Sequence, residues 1–154
     1  MTTAEPIPSA YPGATPYLHI RDAAAALLFY QQAFGAVETV RLSAPNGKVA
    51  HAEITIGKAV VMLGDELPEM QVVSPTLLGG SSVTVVIYVA DVDAFVNQAV
   101  TAGAKLVRPI QDQFYGDRSG KLLDPFGHNW IISTHIEDVS PAEMVRRFEE
   151  MFAK

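Results

Sequence analysis

One pattern runs twice through this chain, and it constrains the fold more than any other feature. Residues 15–21, TPYLHIR, alternate apolar and polar side chains as a half-buried strand does, and Asp22 then stands where a helix N-cap belongs. Ala23, Ala26, Leu27, Tyr30 and Phe34 fall on one face of the helix that follows, and Gly35 stops it. Three strand-like runs come next: VETVRLSA, KVAHAEITI after a turn at Pro45-Asn46-Gly47, and AVVML after a break at Gly57-Lys58. The order is β-α-β-β-β. From Val83 it begins again with VTVVIYV, an Asp91 cap, and a helix carrying Val92, Phe95, Ala99 and Val100 on one face. Gly103 ends that helix, and AKLVRPI, a strand at Ser119–Leu123, the DPFG turn and HNWIIST complete a second β-α-β-β-β. The spacing supports a duplication: Asp22 and Asp91 lie 69 residues apart, Gly35 and Gly103 lie 68 apart, and Gly57 and Gly127 lie 70 apart.

The expected organisation is one structural domain with a flexible N-terminus at 1–13, a first module at 14–64, a linker loop at 65–82, a second module at 83–136 and a C-terminal helix at 137–154. The linker DELPEMQVVSPTLLGGSS is rich in Pro, Gly and Ser without apolar periodicity. Ser140-Pro141-Ala142-Glu143 has the form of a capping box with proline at the first helical position, and Met144, Phe148, Met151 and Phe152 recur at helical spacing.

Charge and composition narrow the partners. Seventeen acidic against 11 basic residues leave a formal charge of −6, and no basic run exceeds Arg146-Arg147, so the electrostatic footprint of a nucleic-acid or anionic-membrane binder is missing. No stretch approaches the roughly 18 apolar residues of a membrane span, and the expectation is a cytoplasmic protein. With no cysteine, thiolate nucleophiles and Cys-held metals are excluded, leaving His and carboxylates as the strong metal ligands.

The motifs FYQQAFGA, HAEITIG, SPTLLGGSSVTVVIYVADVDAF, FYGDRSGKLLDPFGHNW and THIEDVSP, in that order, resemble the vicinal oxygen chelate superfamily, over roughly residues 14–142. That superfamily includes glyoxalase I, extradiol dioxygenases, methylmalonyl-CoA epimerase and bleomycin-resistance proteins, and the closer resemblance is to its PhnB-like, glyoxalase/bleomycin-resistance branch. The resemblance implies an α+β fold of two βαβββ modules forming a U-shaped, eight-stranded mixed sheet, a concave cleft for a ligand or metal, and a homodimer. It also implies four metal-ligand positions, usually His or Glu, at the first and last strand of each module. Alignment places Thr15, Met62, Thr84 and Ile131 there, none of which suits a hard or borderline divalent ion. No metal and no other cofactor is therefore expected.

Strand parity then nominates cleft residues. Thr15, Tyr17 and His19 share one face of the first strand, and His51, Glu53 and Thr55 alternate with Ala52, Ile54 and Ile56 on the third. His51 and Glu53 are candidates for general acid–base work or for holding a ligand. His128 and His135 read as surface or structural residues. Asp117 and Arg118 are expected either to brace a turn as an ion pair or, through Arg118, to meet a carboxylate or phosphate. Tyr17, Tyr88, Tyr115 and Trp130 supply aromatic walls and Met62 an adaptable filler, with the parity of Trp130 against Ile131 leaving either face open to it. The leading functional expectation is a metal-independent protein that binds a small organic molecule. The alternative is an enzyme of the lyase, isomerase or dioxygenase kind, with a divergent metal site or with metal-free chemistry at His51 and Glu53.

Overall fold

The computed structural model describes residues 4–153; residues 1–3 of the expected N-terminal segment and Lys154 of the expected C-terminal helix lie outside the described residues. Contacts divide the chain into two compact units, one ending at Gly80 and the other beginning at Ser81. In the first, β1 (Tyr17–Ile20), α1 (Ala23–Phe34), β2 (Val37–Ser43), β3 (Val49–Ile56) and β4 (Ala59–Asp65) form a four-stranded mixed sheet in the order β1-β4-β3-β2. The β1–β4 pair is parallel and the other pairs are antiparallel. A 3₁₀ turn at Pro68–Met70 and the short α2 (Pro75–Leu78) follow.

The second unit repeats the plan with β5 (Thr84–Tyr88), α3 (Val92–Ala102), β6 (Lys105–Asp112), β7 (Asp117–Leu123) and β8 (Asn129–His135), ordered β5-β8-β7-β6 with β5 and β8 parallel. α4 (Pro141–Glu150) completes it. The duplicated β-α-β-β-β pattern is thus present as two α+β units of the same strand order.

Local chemistry sets the helix ends where the sequence places them. The Asp22 carboxylate accepts the Ala25 N–H and the Asp91 carboxylate accepts the Ala94 N–H, each at 3.0 Å. Gly35, at φ +63°, closes α1 in the left-handed conformation that a Cβ would strain. Asp65 joins three elements of the first unit, accepting the Ala23 N–H at 3.0 Å and the Val49 N–H at 2.7 Å.

Each sheet has a helix face and an open face. In the first unit Leu18, Ile20, Ala52, Ile54, Val61 and Leu63 are buried with Ala23, Ala26, Leu27, Tyr30 and Phe34 of α1. In the second, Leu122, Trp130 and Ile132 are buried with Val92, Val96 and Ala99. Val96 takes the place expected for Val100, which stays exposed, because Val92, Val96 and Ala99 share the inward side of α3.

Candidate functional site

The open face of the first sheet gathers the polar residues of β1 and β3. Register puts Tyr17 and Glu53 on either side of Met62, so the three form one row across neighbouring strands. The Tyr17 hydroxyl shares a 3.0 Å hydrogen bond with His51 Nδ1, and His51 Nε2 lies 3.1 Å from Glu53 Oε1. Tyr11 donates its hydroxyl proton to Glu53 Oε2 at 2.6 Å. A continuous chain therefore runs Tyr17, His51, Glu53, Tyr11. His19 joins it through its ring, 5.1 Å from that of Tyr17 between centroids, while the Tyr17 and His51 rings are 5.5 Å apart. The hydrogen bond from Tyr11, reinforced by that from His51, holds the Glu53 carboxyl below the usual carboxylate range and keeps it ionised. Gly64 makes room for this arrangement, since a Cβ there would lie 3.3 Å from the Tyr17 hydroxyl and 2.9 Å from the Ala50 carbonyl oxygen.

Five of the nominated residues, Tyr17, His19, His51, Glu53 and Met62, are thus brought together, and Tyr11 joins them. Nothing local marks Tyr11, which lies 42 residues from its partner in a segment without periodicity.

In the second unit the nominated residues separate. Trp130 is fully buried on the helix side, opposite Val85 and Leu122 in the sheet register, so it is a core residue and not a wall of the open face. Its indole N–H donates to Asp124 Oδ2 at 2.9 Å, while Asp124 Oδ1 accepts the N–H groups of Phe126 and His128, each at 2.9 Å. The DPFGHNW turn is thereby stitched to the core, and His128 is a buried, structural residue.

Arg118 is also displaced from its expected role. It lies within β7, which begins at Asp117, and adjacent strand residues face opposite sides. Its guanidinium meets Asp93 of α3 and Asp112 of β6 at 2.8 and 2.9 Å, so neither the Asp117–Arg118 ion pair nor an anion-seeking guanidinium forms. Asp117 points to the other face, where Tyr88 donates to its Oδ2 at 2.6 Å and His135 Nδ1 lies 2.8 Å from its Oδ1. Tyr88 and Tyr115 share a pocket with Asp117 and His135. The sequence signals for His135 were its place on the Ile131/Ser133 side of β8 and an aspartate three residues on.

Metal binding can be judged from the donors. Met62 and Ile131 sit on the open sides of their sheets, Thr15 lies two residues before β1 and Thr84 begins β5, but two hydroxyls, a thioether and an alkyl group do not fit a divalent ion. Among the described residues no group of three His, Asp or Glu side chains is placed to hold a metal ion, and no helix is long and apolar enough to cross a membrane.

Known proteins share this architecture. An uncharacterized protein of Mycobacterium tuberculosis, Rv0887c, is 43% identical over 136 residues, spanning 86% of this chain and 80% of its own. The X-ray structure of the Arabidopsis thaliana product At5g48480 superposes with a TM-score of 0.64 at 28% identity, covering 80% of this chain and 98% of that one. The bleomycin resistance determinant encoded on transposon Tn5 shares the fold, with a TM-score of 0.61 at 18% identity over 81% of this chain and 98% of its own. The model of the Glyoxalase/Bleomycin resistance protein/Dioxygenase superfamily matches residues 17–132, and the chain belongs to that superfamily.

Proposed function

We propose that this protein binds a small organic molecule on the open face of its first sheet, without the divalent metal used by superfamily enzymes, and that it is of the bleomycin-resistance-like, PhnB-like kind. The observation that carries this reading is the hydrogen-bonded row Tyr17, His51, Glu53 and Tyr11 beside Met62. It offers aromatic surface, a polarizable thioether and an ionised carboxylate, the mixture of apolar wall and few polar groups that orients a ligand. Glu53 favours a ligand carrying a hydrogen-bond donor or a positive charge. The unsuitable donors at Thr15, Met62, Thr84 and Ile131 support the metal-free part of the reading.

A thermal-shift screen against aromatic and cationic natural products tests it. A ligand at about 100 times its Kd stabilises by about 2.7 kcal/mol, or about 5–10 °C in Tm for a chain of this size. Glu53→Gln should abolish most of that shift. Silence across a broad panel, or hits indifferent to Glu53→Gln, would refute the reading.

The contact between His51 Nε2 and Glu53 Oε1 favours a second reading, metal-free acid–base catalysis, in which the carboxylate orients the imidazole. Turnover of a bound compound that disappears in His51→Ala would select it. Self-association belongs to the proposal too: edge strands β2 and β6 leave Val37, Val40, Leu42, Leu106 and Val107 exposed, the kind of surface a second copy covers. Light scattering should give the mass of a dimer, and a monomer would remove that part.

A further inference from the structure

The second unit holds a pocket of about 550 Å³ that the row on the first sheet does not use. It lies between the ends of β5, β7 and β8 and the segment leading into α4, and its size is that of a small-molecule site. Two aromatic rings, Tyr88 and Tyr115, face it together with Asp117, His135, Asp138 and Met144. No lysine or arginine among the described residues lines it. The Asp117 side chain is only 5% exposed, and its two oxygens fix the Tyr88 hydroxyl and the His135 ring. The other imidazole nitrogen reaches Asp138 Oδ1 at 2.8 Å, and Asp138 is fully exposed and able to turn toward another cation.

Two carboxylates therefore share one imidazole. When that imidazole is neutral the pocket carries two negative charges and no positive one, with two ring faces suited to a cation. An anion finds no comparable welcome at the start of α4, where Ser140 already caps the Glu143 N–H at 3.2 Å and Pro141 has no N–H to offer.

We propose that this pocket is a second binding site, for an organic ammonium ion with an aromatic or aliphatic tail, and that it stands whether or not the first sheet binds a ligand. The tail lies against Tyr88, Tyr115 and Met144, and the ammonium pairs with the exposed Asp138, which His135 releases once its ring is neutral, while the buried Asp117 keeps its bonds to Tyr88 and the imidazole. The hydrogen bonds to those two aspartates raise the pKa of His135, and the titratable groups facing it are Asp117 on β7, Tyr88 on β5, Tyr115 in the turn before β7, and Asp138 after β8. Proton and ligand compete, so binding tightens as pH rises through the raised value.

Calorimetric titration of the full chain with phenethylammonium, at about pH 6 and about pH 8.5, tests this against neutral 2-phenylethanol and anionic 3-phenylpropionate. Expected are saturable 1:1 binding of the amine, about tenfold or more tighter than the alcohol, tighter at the higher pH, and about tenfold weaker in Asp138→Asn and in Tyr115→Leu. Asp138 is fully exposed, so its replacement leaves the fold intact. Equal affinity for amine and alcohol, no binding, indifference to pH, or full affinity in Asp138→Asn would overturn the proposal. Amide shifts confined to the first unit on amine titration would also overturn it, while leaving the first-sheet reading in place.

Discussion

Asp124→Ala should be among the most destabilising single changes on the surface turns of this protein. The carboxylate is 3% exposed and accepts hydrogen bonds from the Phe126 and His128 backbone and from the Trp130 indole. Truncation strands two buried donors, at His128 and Trp130, and a part-buried one at Phe126. At about 1–3 kcal/mol for each of the two buried donors left unpaired, the expected loss is about 2–6 kcal/mol. Urea unfolding followed by Trp130 fluorescence and by circular dichroism reads it as a fall in midpoint at unchanged m-value. Trp130→Phe should cost less, and the double mutant should show coupling of about 0.5–3 kcal/mol, because both changes remove the same indole–carboxylate bond. A loss below about 0.5 kcal/mol in Asp124→Ala would refute the view that this turn is anchored through its aspartate.

Further outcomes follow from other parts of the structure. Gly116 sits at φ +97°, and a Cβ there would come within 2.1 Å of the Glu137 carbonyl oxygen, so Gly116→Ala should cost more than the roughly 1–3 kcal/mol of backbone strain alone. A Tm within about 2 °C of the parent would contradict this. His135, raised by its bonds to Asp117 and Asp138, contributes stability that is fully present below about pH 6.5 and is lost as pH rises through its raised value. Glu53, lowered by Tyr11 and His51, contributes stability present above about pH 4.3 that is lost as pH falls through its lowered value. His135→Gln and Glu53→Gln should therefore flatten the alkaline and acid limbs of the Tm–pH curve respectively, and limbs unaltered in both variants would count against those networks. The Trp130 emission should be blue-shifted and resist acrylamide, since the ring is fully buried; ready quenching would contradict its place in the core.

The fold was legible because its signals are local. Asp22, Gly35, Asp91 and Gly103 cap and stop helices through bonds to residues a turn away, so their spacing reports the duplication directly. The first-sheet row was legible for a similar reason: in HAEITI the apolar and polar residues alternate without a break, which assigns His51 and Glu53 to the open face. That signal fails in HNWIIST, where Trp130, Ile131 and Ile132 are all apolar and parity has nothing to grip; the bond to Asp124 decides it. Asp117 and Arg118 read as turn partners because the sequence pattern starts the strand at Ser119. Starting the strand two residues earlier sends the two side chains to opposite faces, one to Tyr88 and His135, the other to Asp93 and Asp112. Tyr11 owes its role to a tertiary contact that sequence periodicity does not encode, whereas for His135 periodicity gives the face of β8 but not the bond to Asp117.

Heteronuclear NMR titration of the strongest stabilising compound from the thermal-shift screen, followed on backbone amides and on histidine ring resonances, tests the first-sheet site most directly. Saturable shifts should be largest at Tyr17, His19, His51, Glu53 and Met62, with the His51 ring among the most affected, and Glu53→Gln should suppress them. Shifts that leave these residues unmoved while the compound binds elsewhere would contradict the assignment of this face as the binding site.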